Sequence, residues 1–327
     1  MEGNQRKPGI VLTYAGQAVQ LLSGLIYTPI MLRLLGQSEY GLYTLVNSVV
    51  SYLGLLSFGF GSAYMRFYSR FKAQKNEMEI ARLNGMFMII FLIIAGICLI
   101  CGGIMIGNIE VIFGAGLTSA EYDKARVLMI LMVLNLAMTF PLSVYDSNVT
   151  AHEQFIFQKL IVLLQNLLNP FLCLPLLILG YGSVALVSVA TLLTIAKTIV
   201  NIMFCTRKLH IHFLFKGFRW SLLKEMWIFT FFIFINNIID QINWSVDKFL
   251  LGRFAGTVAV AVSGGSAQLN SMYLNFSTAV SNVFVPEVNR IVAESDDNDA
   301  LTELFIKVGR IQFMILGLII SGFAIFG

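Results

Sequence analysis

Charged side chains are scarce in this sequence of 327 residues. Asp, Glu, Lys and Arg together make up 12% of the chain, whereas soluble domains carry about 25%. A water-soluble surface needs a larger share of charge than this. The formal net charge of +4 is therefore no sign of nucleic-acid binding. The composition excludes a soluble enzyme, a nucleic-acid-binding domain and a disordered protein.

Cysteine and histidine are also few, with four and three residues. All four cysteines lie within or at the end of apolar segments: Cys98, Cys101, Cys173 and Cys205. The C-x-x-C pair of Cys98 and Cys101 can indicate redox chemistry or a metal site. No His or charged residue accompanies it, so we expect helix packing. His210 and His212 lack the further ligands that a metal needs, and no metal site is predicted.

Catalytic and nucleotide-binding motifs are missing. The sequence has no Walker A pattern, no G-x-G-x-x-G, no G-x-S-x-G, no H-E-x-x-H and no T-V-G-Y-G filter. The loops between the apolar runs are too short to form a soluble catalytic part. We therefore predict that the chain is not an enzyme and uses no organic cofactor.

Long apolar runs are what the sequence has in abundance. Apolar residues account for 57% of it, and its mean hydropathy is +0.79. A spanning helix needs about 20 mostly apolar residues. Such runs cover 10–33, 40–64, 84–107, 126–148, 158–179, 182–205, 225–248, 255–284 and 309–327. They predict an all-α polytopic transmembrane bundle with nine helices, and we expect the complete protein to continue beyond the last.

The positive charges are distributed unevenly between the loops. If the N-terminus is cytoplasmic, most of the 22 Lys and Arg lie on the cytoplasmic side, as the positive-inside rule requires. Arg70, Lys72, Arg207 and Lys216 are examples. We expect a multi-pass protein of a bacterial plasma (inner) membrane with its N-terminus in the cytoplasm.

An internal repeat predicts two lobes. The tripeptide at 34–36, Leu-Leu-Gly, returns at 250–252, 216 residues later. FMIIFLIIAG from Phe87 likewise resembles FMILGLIISG from Phe313. Helices seven to nine thus look like copies of helices one to three, as in transporters with parallel repeats. We predict two six-helix lobes around a central cavity. Residues 1–208 form the first, and 209–327 form part of the second, which is incomplete.

A polar stripe runs along predicted helix seven. Asn236, Asp240, Asn243 and Asp247 are spaced 4, 3 and 4 residues apart, so they share one helix face. Polar groups in hydrocarbon are costly, about 2.5–3.5 kcal/mol for a central charge, and usually mark a pathway. The stripe could line a hydrated cavity, or it could join helices by hydrogen bonds. Asp240 or Asp247 could also bind a coupling proton or Na⁺.

Further candidates for the cavity lie on other helices. Gln20 belongs to a polar face of helix one, and Gln268 and Asn275 to a polar face of helix eight. Lys197 is the one Lys or Arg well inside a predicted helix. Its ammonium could hold an anionic headgroup such as a phosphate. Alternatively, it could form a salt bridge with Asp240 or Asp146, or extend toward the interface.

Two stretches resemble a known family, the polysaccharide-biosynthesis flippases of the Wzx type. The first is P…LLG…EYGLY, at Pro29, Leu34, Leu35, Gly36, Glu39, Tyr40, Gly41, Leu42 and Tyr43. The second is D(K/R)xxLG, at Asp247, Lys248, Leu251 and Gly252. The superfamily of these flippases also holds MATE drug exporters and the lipid II flippase MurJ.

The resemblance implies a function. Such flippases move an undecaprenyl-pyrophosphate-linked oligosaccharide to the outer leaflet, for O-antigen, capsule or exopolysaccharide. Alternating access is driven by H⁺, Na⁺ or the membrane potential. The resemblance also implies partners, namely a lipid-linked oligosaccharide, membrane lipids, a polysaccharide polymerase and a chain-length regulator. By resemblance, the pyrophosphate-holding role would fall on Lys197, and Arg33 or Lys248 could share it. A multidrug antiporter of the same superfamily and a membrane enzyme of glycan assembly are the alternatives.

Overall fold

The computed structural model describes residues 6–217, 220–294 and 298–326. Within these ranges every regular element is helical, which confirms the predicted all-α class. The helices are α1 Arg6–Leu35, α2 Gln37–Ser51, α3 Phe60–Ala73, α4 Glu77–Gly107, α5 Ile109–Phe113, α6 Ser119–Ala151, α7 Phe155–Ile178, α8 Gly182–Arg207, α9 Trp220–Glu294 and α10 Asn298–Phe326.

Seven helical stretches among the described residues are long and apolar enough to cross a membrane. They are Gln37–Ala73, Glu77–Gly107, Ser119–Ala151, Phe155–Ile178, Gly182–Arg207, Ser221–Ser271 and Asp299–Gly322. Helix α1 adds the shorter apolar stretch Ile26–Leu35. Many large apolar side chains remain exposed, among them Phe171 at 72% and Ile100 at 66%. Such a surface suits lipid rather than water, and the chain is a multi-pass membrane protein.

The second predicted helix, 40–64, is interrupted. Helix α2 ends at Ser51, a 3₁₀ turn covers Tyr52–Ser57, and α3 begins at Phe60. Phe58 and Gly59 between them have φ angles of 49° and 72°. Glycine enters this left-handed region without a steric penalty. Glycines cluster in this part of the sequence, and one of them, Gly59, therefore permits the interruption.

The ninth helix contains a break at Gly256. Helix α9 is 75 residues long, and a straight helix of that length would measure roughly 110 Å. A bilayer core is only about 30 Å thick. Gly256 has a φ of 80° and a ψ of −179°, outside the helical region. It separates residues 220–255 from 257–294, and thereby the predicted helices seven and eight.

The chain forms two compact units, Met1–Val262 and Ser263–Gly327. The core of the first unit lies between α2, α3, α4 and α6, where Leu45, Ala63, Phe87 and Leu128 are fully buried. In the second unit, Gln312 Nε2 donates a hydrogen bond of 2.7 Å to Ser281 Oγ. The predicted lobes, 1–208 and 209–327, stay a prediction.

The first unit has two ends of different character. The turns around 74–76, 152–154 and 208–217 lie at one end, which we call the basic end because Arg70, Lys72, Lys75 and Arg207 gather there. The turns at Gly36, 108–118, 179–181 and Gly256 lie at the other, the distal end. The positive-inside rule expects the basic end to face the cytoplasm.

Candidate functional site

An ion pair joins α6 to α8 within their membrane-spanning stretches. Lys197 Nζ lies 3.0 Å from Asp146 Oδ2, and the two side chains are 27% and 35% exposed. Asn201 Nδ2 donates to the other carboxylate oxygen of Asp146. The structure thus pairs Lys197 with Asp146 and not with Asp240. An anionic ligand could still reach the ammonium, but only in competition with Asp146.

The packing of α6 on α8 places this pair. Asn135 Nδ2 on α6 donates a 2.9 Å hydrogen bond to Thr191 Oγ1 on α8. Asn135 and Asp146 are about three helical turns apart, so they share one face of α6. A capping box of Thr118 and Glu121 begins that helix and fixes its first turn. Polar contacts therefore follow one face of α6 through the membrane.

The predicted stripe of α9 is exposed along its length. Asn236, Asp240, Asn243 and Asp247 are all exposed. The amide of Asn236 donates a 3.0 Å hydrogen bond to the Phe232 carbonyl of the same helix. The four side chains share the face that their spacing predicts. They present carboxylates and amides, which can bind hydroxyl groups or cations.

A different face of α9 packs along α2 and α3, and we call this contact the α2–α9 seam. Gln241 Nε2 donates to Ser51 Oγ of α2 and, at 2.8 Å, to Ser245 Oγ. A Cβ added at Gly252 would overlap Leu45. Helix-joining hydrogen bonds thus belong to Gln241 and Ser245, and the stripe beside them lies outside the seam.

A cluster of hydrogen bonds closes the distal end of the seam. Glu121 Oε1 accepts a 2.6 Å bond from Ser38 Oγ and a 2.9 Å bond from Thr257 Oγ1. The two hydroxyl oxygens lie 3.3 Å apart. We call Ser38, Glu121 and Thr257 the distal cluster. Beside it, a Cβ at Gly41 would overlap the Thr257 carbonyl oxygen, so two backbones touch there.

Three further charged residues, Glu39, Lys124 and Arg253, hold the distal end together. Glu39 Oε1 accepts bonds of 2.8 and 3.0 Å from the backbone N–H and the hydroxyl of Ser183. Its other oxygen lies 3.2 Å from Lys124 Nζ. Arg253 donates 3.0 Å bonds to the carbonyls of Val111 and Ile112. The contacts of Glu39 tie the starts of α2, α6 and α8 together, and those of Arg253 tie α9 near its kink to α5.

The remaining predicted site residues are dispersed. Gln20 is exposed on α1, and Gln268 is half-buried on α9 in the second unit. Asn275 lies on α9, but its side chain falls outside the described residues. Among the described contacts, none joins Lys197 to the stripe of α9. The grouping of these residues into one cavity stays a prediction.

The described part of the chain holds no group of three or more His, Cys, Asp or Glu that could bind a metal. The four cysteines are free thiols, and Cys98 is buried while Cys101 is half-buried. Their sulfurs pack among helices, which is the role expected for the C-x-x-C pair.

Sequence reasoning missed the distal cluster. The T-x-x-E pattern at Thr118 and Glu121 predicts a helix start, but no spacing rule links it to Ser38 or Thr257. The one available signal was Glu39, which belongs to the first family motif.

Solved transporter structures share this fold. An inward-facing multidrug resistance MATE family transporter of the MOP superfamily superposes with a TM-score of 0.69 at 15% identity, covering 96% of this chain and 72% of that chain. The lipid II flippase MurJ in an inward closed conformation gives 0.63 at 15% identity, covering 88% and 59%. An outward-facing MATE transporter gives 0.59 at 16%, covering 98% and 73%.

The sequence itself matches a family profile over most of its length. No curated protein sequence matches the chain. The profile described as polysaccharide biosynthesis protein matches residues 7–292, a range that includes both motifs, the ion pair, the stripe and the seam. The chain therefore belongs to the polysaccharide biosynthesis protein family and has the fold of the MATE and MurJ transporters.

Proposed function

We propose that this chain belongs to a flippase that moves an undecaprenyl-pyrophosphate-linked oligosaccharide across a bacterial plasma membrane. The transfer runs from the cytoplasmic leaflet, at the basic end, to the outer leaflet, at the distal end. The lipid supplies the long tail, which stays in the bilayer, and the glycan crosses between the lobes. A polysaccharide polymerase and a chain-length regulator then use the delivered glycan.

The α2–α9 seam is the observation that carries this proposal. Where α9 meets α3, aromatic rings pack across the seam, such as Phe60 and Trp227. Along α2, the residues of the two predicted lobes are joined through small residues, the hydroxyl–amide bond of Ser51 with Gln241 and the adjacent hydroxyls of Ser38 and Thr257. Contacts of this kind separate with less loss of packing than interdigitated large side chains. Alternating access requires contacts at each end of the path that break and re-form.

The polar groups suit the substrate. The exposed amides and carboxylates of Asn236, Asp240 and Asn243 can accept and donate hydrogen bonds to sugar hydroxyls, and Gln20, Gln268 and Asn275 add amides of the same type. Lys197 provides a cation for the pyrophosphate, in competition with Asp146. Asp240 or Asp247 takes the coupling H⁺ or Na⁺. No chemical step on the substrate is needed, so the protein acts as a transporter and not as an enzyme.

A reversible cross-link across the distal cluster tests the proposal. The Ser38 and Thr257 side-chain oxygens are 3.3 Å apart, which brings the two positions within reach of a disulfide. We expect cells carrying S38C together with T257C to lose surface glycan under oxidant and to regain it with reductant. Each single variant should export normally under both conditions.

A second cross-link serves as the matched control. Asn135 and Thr191 are 2.9 Å apart and both belong to the first predicted lobe. A disulfide between N135C and T191C should leave export intact, because rocking of the lobes does not separate these helices. Equal export from the oxidised and reduced forms of S38C/T257C, with the bond formed, would contradict alternating access at this seam.

Drug sensitivity of the same strains and the activity of the purified protein separate the rival functions. A multidrug antiporter predicts that the oxidised S38C/T257C cells become drug-sensitive while their surface glycan stays normal. A membrane enzyme of glycan assembly predicts a purified protein that converts the lipid-linked glycan chemically without moving it. Export-only loss is the result that we expect.

A further inference from the structure

A cavity of about 620 Å³ opens at the basic end of the first unit. Its walls come from the end of α3, the start of α4, the end of α6 and the segment 209–212 that follows α8. The volume lies within the roughly 300–1,000 Å³ typical of small-molecule sites. The cavity is distinct from the α2–α9 seam, since no residue of α9 lines it.

The wall made by the segment after α8 is fixed by main-chain bonds. Leu214 N–H donates a 2.9 Å bond to the Ala81 carbonyl, and Ile211 N–H donates a 3.2 Å bond to the Cys205 carbonyl. Asn84 Nδ2 adds a 3.2 Å bond to the carbonyl of His212. The segment is therefore held against α4, and the cavity keeps a defined shape.

The floor of the cavity is a buried amide network with one free acceptor. Asn84 Oδ1 accepts from Tyr64 OH at 2.7 Å and from Asn148 Nδ2 at 3.2 Å. Asn148 Nδ2 also donates to the Val144 carbonyl at 3.0 Å, so a flipped amide would place oxygen against oxygen. Asn148 is 0% exposed, and its Oδ1 has no hydrogen-bond partner.

The free Oδ1 of Asn148 can accept a hydrogen bond from a donor on a bound ligand. A buried polar atom without a partner costs about 1–3 kcal/mol, and in native structures it usually marks a site that something else completes. A hydroxyl group at the cavity floor can donate to a carbonyl oxygen, whereas a bare anion cannot. The floor thus favours a ligand that carries hydroxyl groups.

The rim of the cavity carries positive charge. Lys72 and Lys75 line it, together with His210 and His212. Glu77 is the one carboxylate among the lining residues. Burial lowers the pKa of His152 in the wall, and the charge of Lys72 lowers it further. Two ammonium groups against one carboxylate favour an anion, and phosphate is a common partner of lysine.

We propose that this cavity binds a phosphate ester of a sugar or polyol, with the phosphate at Lys72 and Lys75 and the hydroxyls toward Asn148. The ligand is either a soluble sugar phosphate or the headgroup of a glycerol-bearing anionic lipid, since both combine a phosphate with hydroxyl groups. This site goes beyond the proposed function, because it lies within the first unit alone. Its ligand is detected by a binding measurement that does not depend on transport.

The experiment uses the purified protein in phosphatidylcholine nanodiscs, titrated calorimetrically with a hexose 1-phosphate and with inorganic phosphate. Native mass spectrometry of nanodiscs containing phosphatidylglycerol tests the lipid source. The variant is K72Q/K75Q. K159Q/K224Q is the matched control, because Lys159 and Lys224 lie at the same end without lining the cavity. K72R/K75R keeps the charge.

Each outcome decides the proposal. We expect either hexose 1-phosphate or phosphatidylglycerol to bind. K72Q/K75Q should weaken that binding at least about tenfold, whereas the affinities of K159Q/K224Q and K72R/K75R should stay within about twofold of the unsubstituted protein. Hexose 1-phosphate binding identifies a soluble ligand, and retained phosphatidylglycerol identifies a lipid. Absence of both, equal loss in the control, or inorganic phosphate binding as tightly as hexose 1-phosphate would overturn it. Equal melting temperatures of the variants show that folding is intact.

Discussion

At the residue scale, His152 is held in one tautomer. Its Nδ1 lies 2.9 Å from the Asn148 carbonyl, so it must carry a hydrogen to donate there. Its Nε2 lies 3.0 Å from Tyr68 OH and accepts from it. A neutral imidazole with its proton on Nδ1 satisfies both contacts. A second proton on Nε2 would face the tyrosine oxygen and the positive charge of Lys72.

We predict a loss of stability at mildly acidic pH that His152 causes. Its folded pKa lies below the ordinary value of 6.5 because of burial and Lys72. Between the two pKa values the unfolded chain binds more protons, so stability is full above about pH 6.5 and falls below it. The melting temperature in detergent should therefore drop on acidification. H152Q should flatten this drop, while H212Q, at an exposed histidine, should keep it.

A double-mutant cycle should detect the intramembrane ion pair. D146N or K197M alone leaves one partly buried charge without its partner, and the double variant should recover part of the lost stability. We expect a coupling free energy of about 1–2 kcal/mol. Arg70 and Glu225 are 53% and 51% exposed, and their cycle should give less than about 1 kcal/mol. Equal coupling in both cycles would argue against a special environment for Lys197.

The sequence could identify Lys197 as an unusual cation but could not choose its partner. Asp146 and Asp240 both lie on predicted helices with polar faces. The rotation of one helix against another follows from packing, which spacing along a single helix does not determine. The structure selects Asp146 because α6 and α8 pack directly, through Asn135 and Thr191 as well.

At the element scale, glycines divide into two kinds. Gly41 on α2 lies against the backbone of Thr257, and a Cβ there would overlap its carbonyl oxygen. Gly96 on α4 is exposed, with nothing within 4 Å of an added Cβ. The first permits close contact of two elements, and the second only adds backbone freedom to a helix.

We predict opposite effects of alanine at these two positions. G41A should destabilise the protein by about 1–3 kcal/mol, because a backbone atom must move. G96A should be neutral or stabilise it by up to about 1 kcal/mol, since alanine is the better helix former. Thermal unfolding in one detergent measures both. A stable G41A variant would show that the distal end can open at little cost.

Apolar periodicity predicted the positions of the helices better than it predicted the breaks within them. The helices lie on the predicted runs, yet run 40–64 is divided between α2 and α3. The glycines near its end permit a break, but the residue at which it occurs depends on the space beside Ile233, against which Gly59 packs. A break between the predicted helices 225–248 and 255–284 was expected, but it falls at Gly256, inside the second run, where apolar residues continue on both sides.

At the scale of the whole molecule, the charge distribution and the fold agree on two distinct ends. Arg70, Lys72 and Arg207 share the basic end, although they are far apart in sequence. The distal end carries Glu39, Glu121 and Arg253 in hydrogen-bonded contacts. A bilayer potential and the insertion machinery favour one orientation of such a bundle.

Cysteine labelling in intact cells should reveal that orientation. Lys208 is exposed at the basic end and Tyr181 is exposed at the distal end. We expect Y181C to react with a membrane-impermeant maleimide in intact cells, and K208C only after permeabilisation. The unsubstituted protein is the blank, because Cys98, Cys173 and Cys205 are buried and the half-buried Cys101 lies within the membrane-spanning stretch of α4. The reverse pattern would place the N-terminus outside.

The long-range contacts of the molecule lay beyond sequence reasoning. The α2–α9 seam joins residues about 200 positions apart, and the cavity at the basic end depends on segment 209–217 folding back on α4. That segment has no regular apolar period, so nothing in its sequence predicts where it lies. The polar stripe could be predicted because a single helix sets its geometry.

The meeting of Gly41 with Thr257 limits how this protein can change by mutation. Two main chains touch there, and the contact depends on the volume of the residue at position 41 and not on its charge. Every single-residue replacement at position 41 adds atoms, so each inherited variant at that codon is a gain of volume. The neighbouring Glu121 bonds can be tuned by degrees through ordinary substitutions. Selection can thus adjust the distal cluster gradually, while position 41 offers it only retention or disruption.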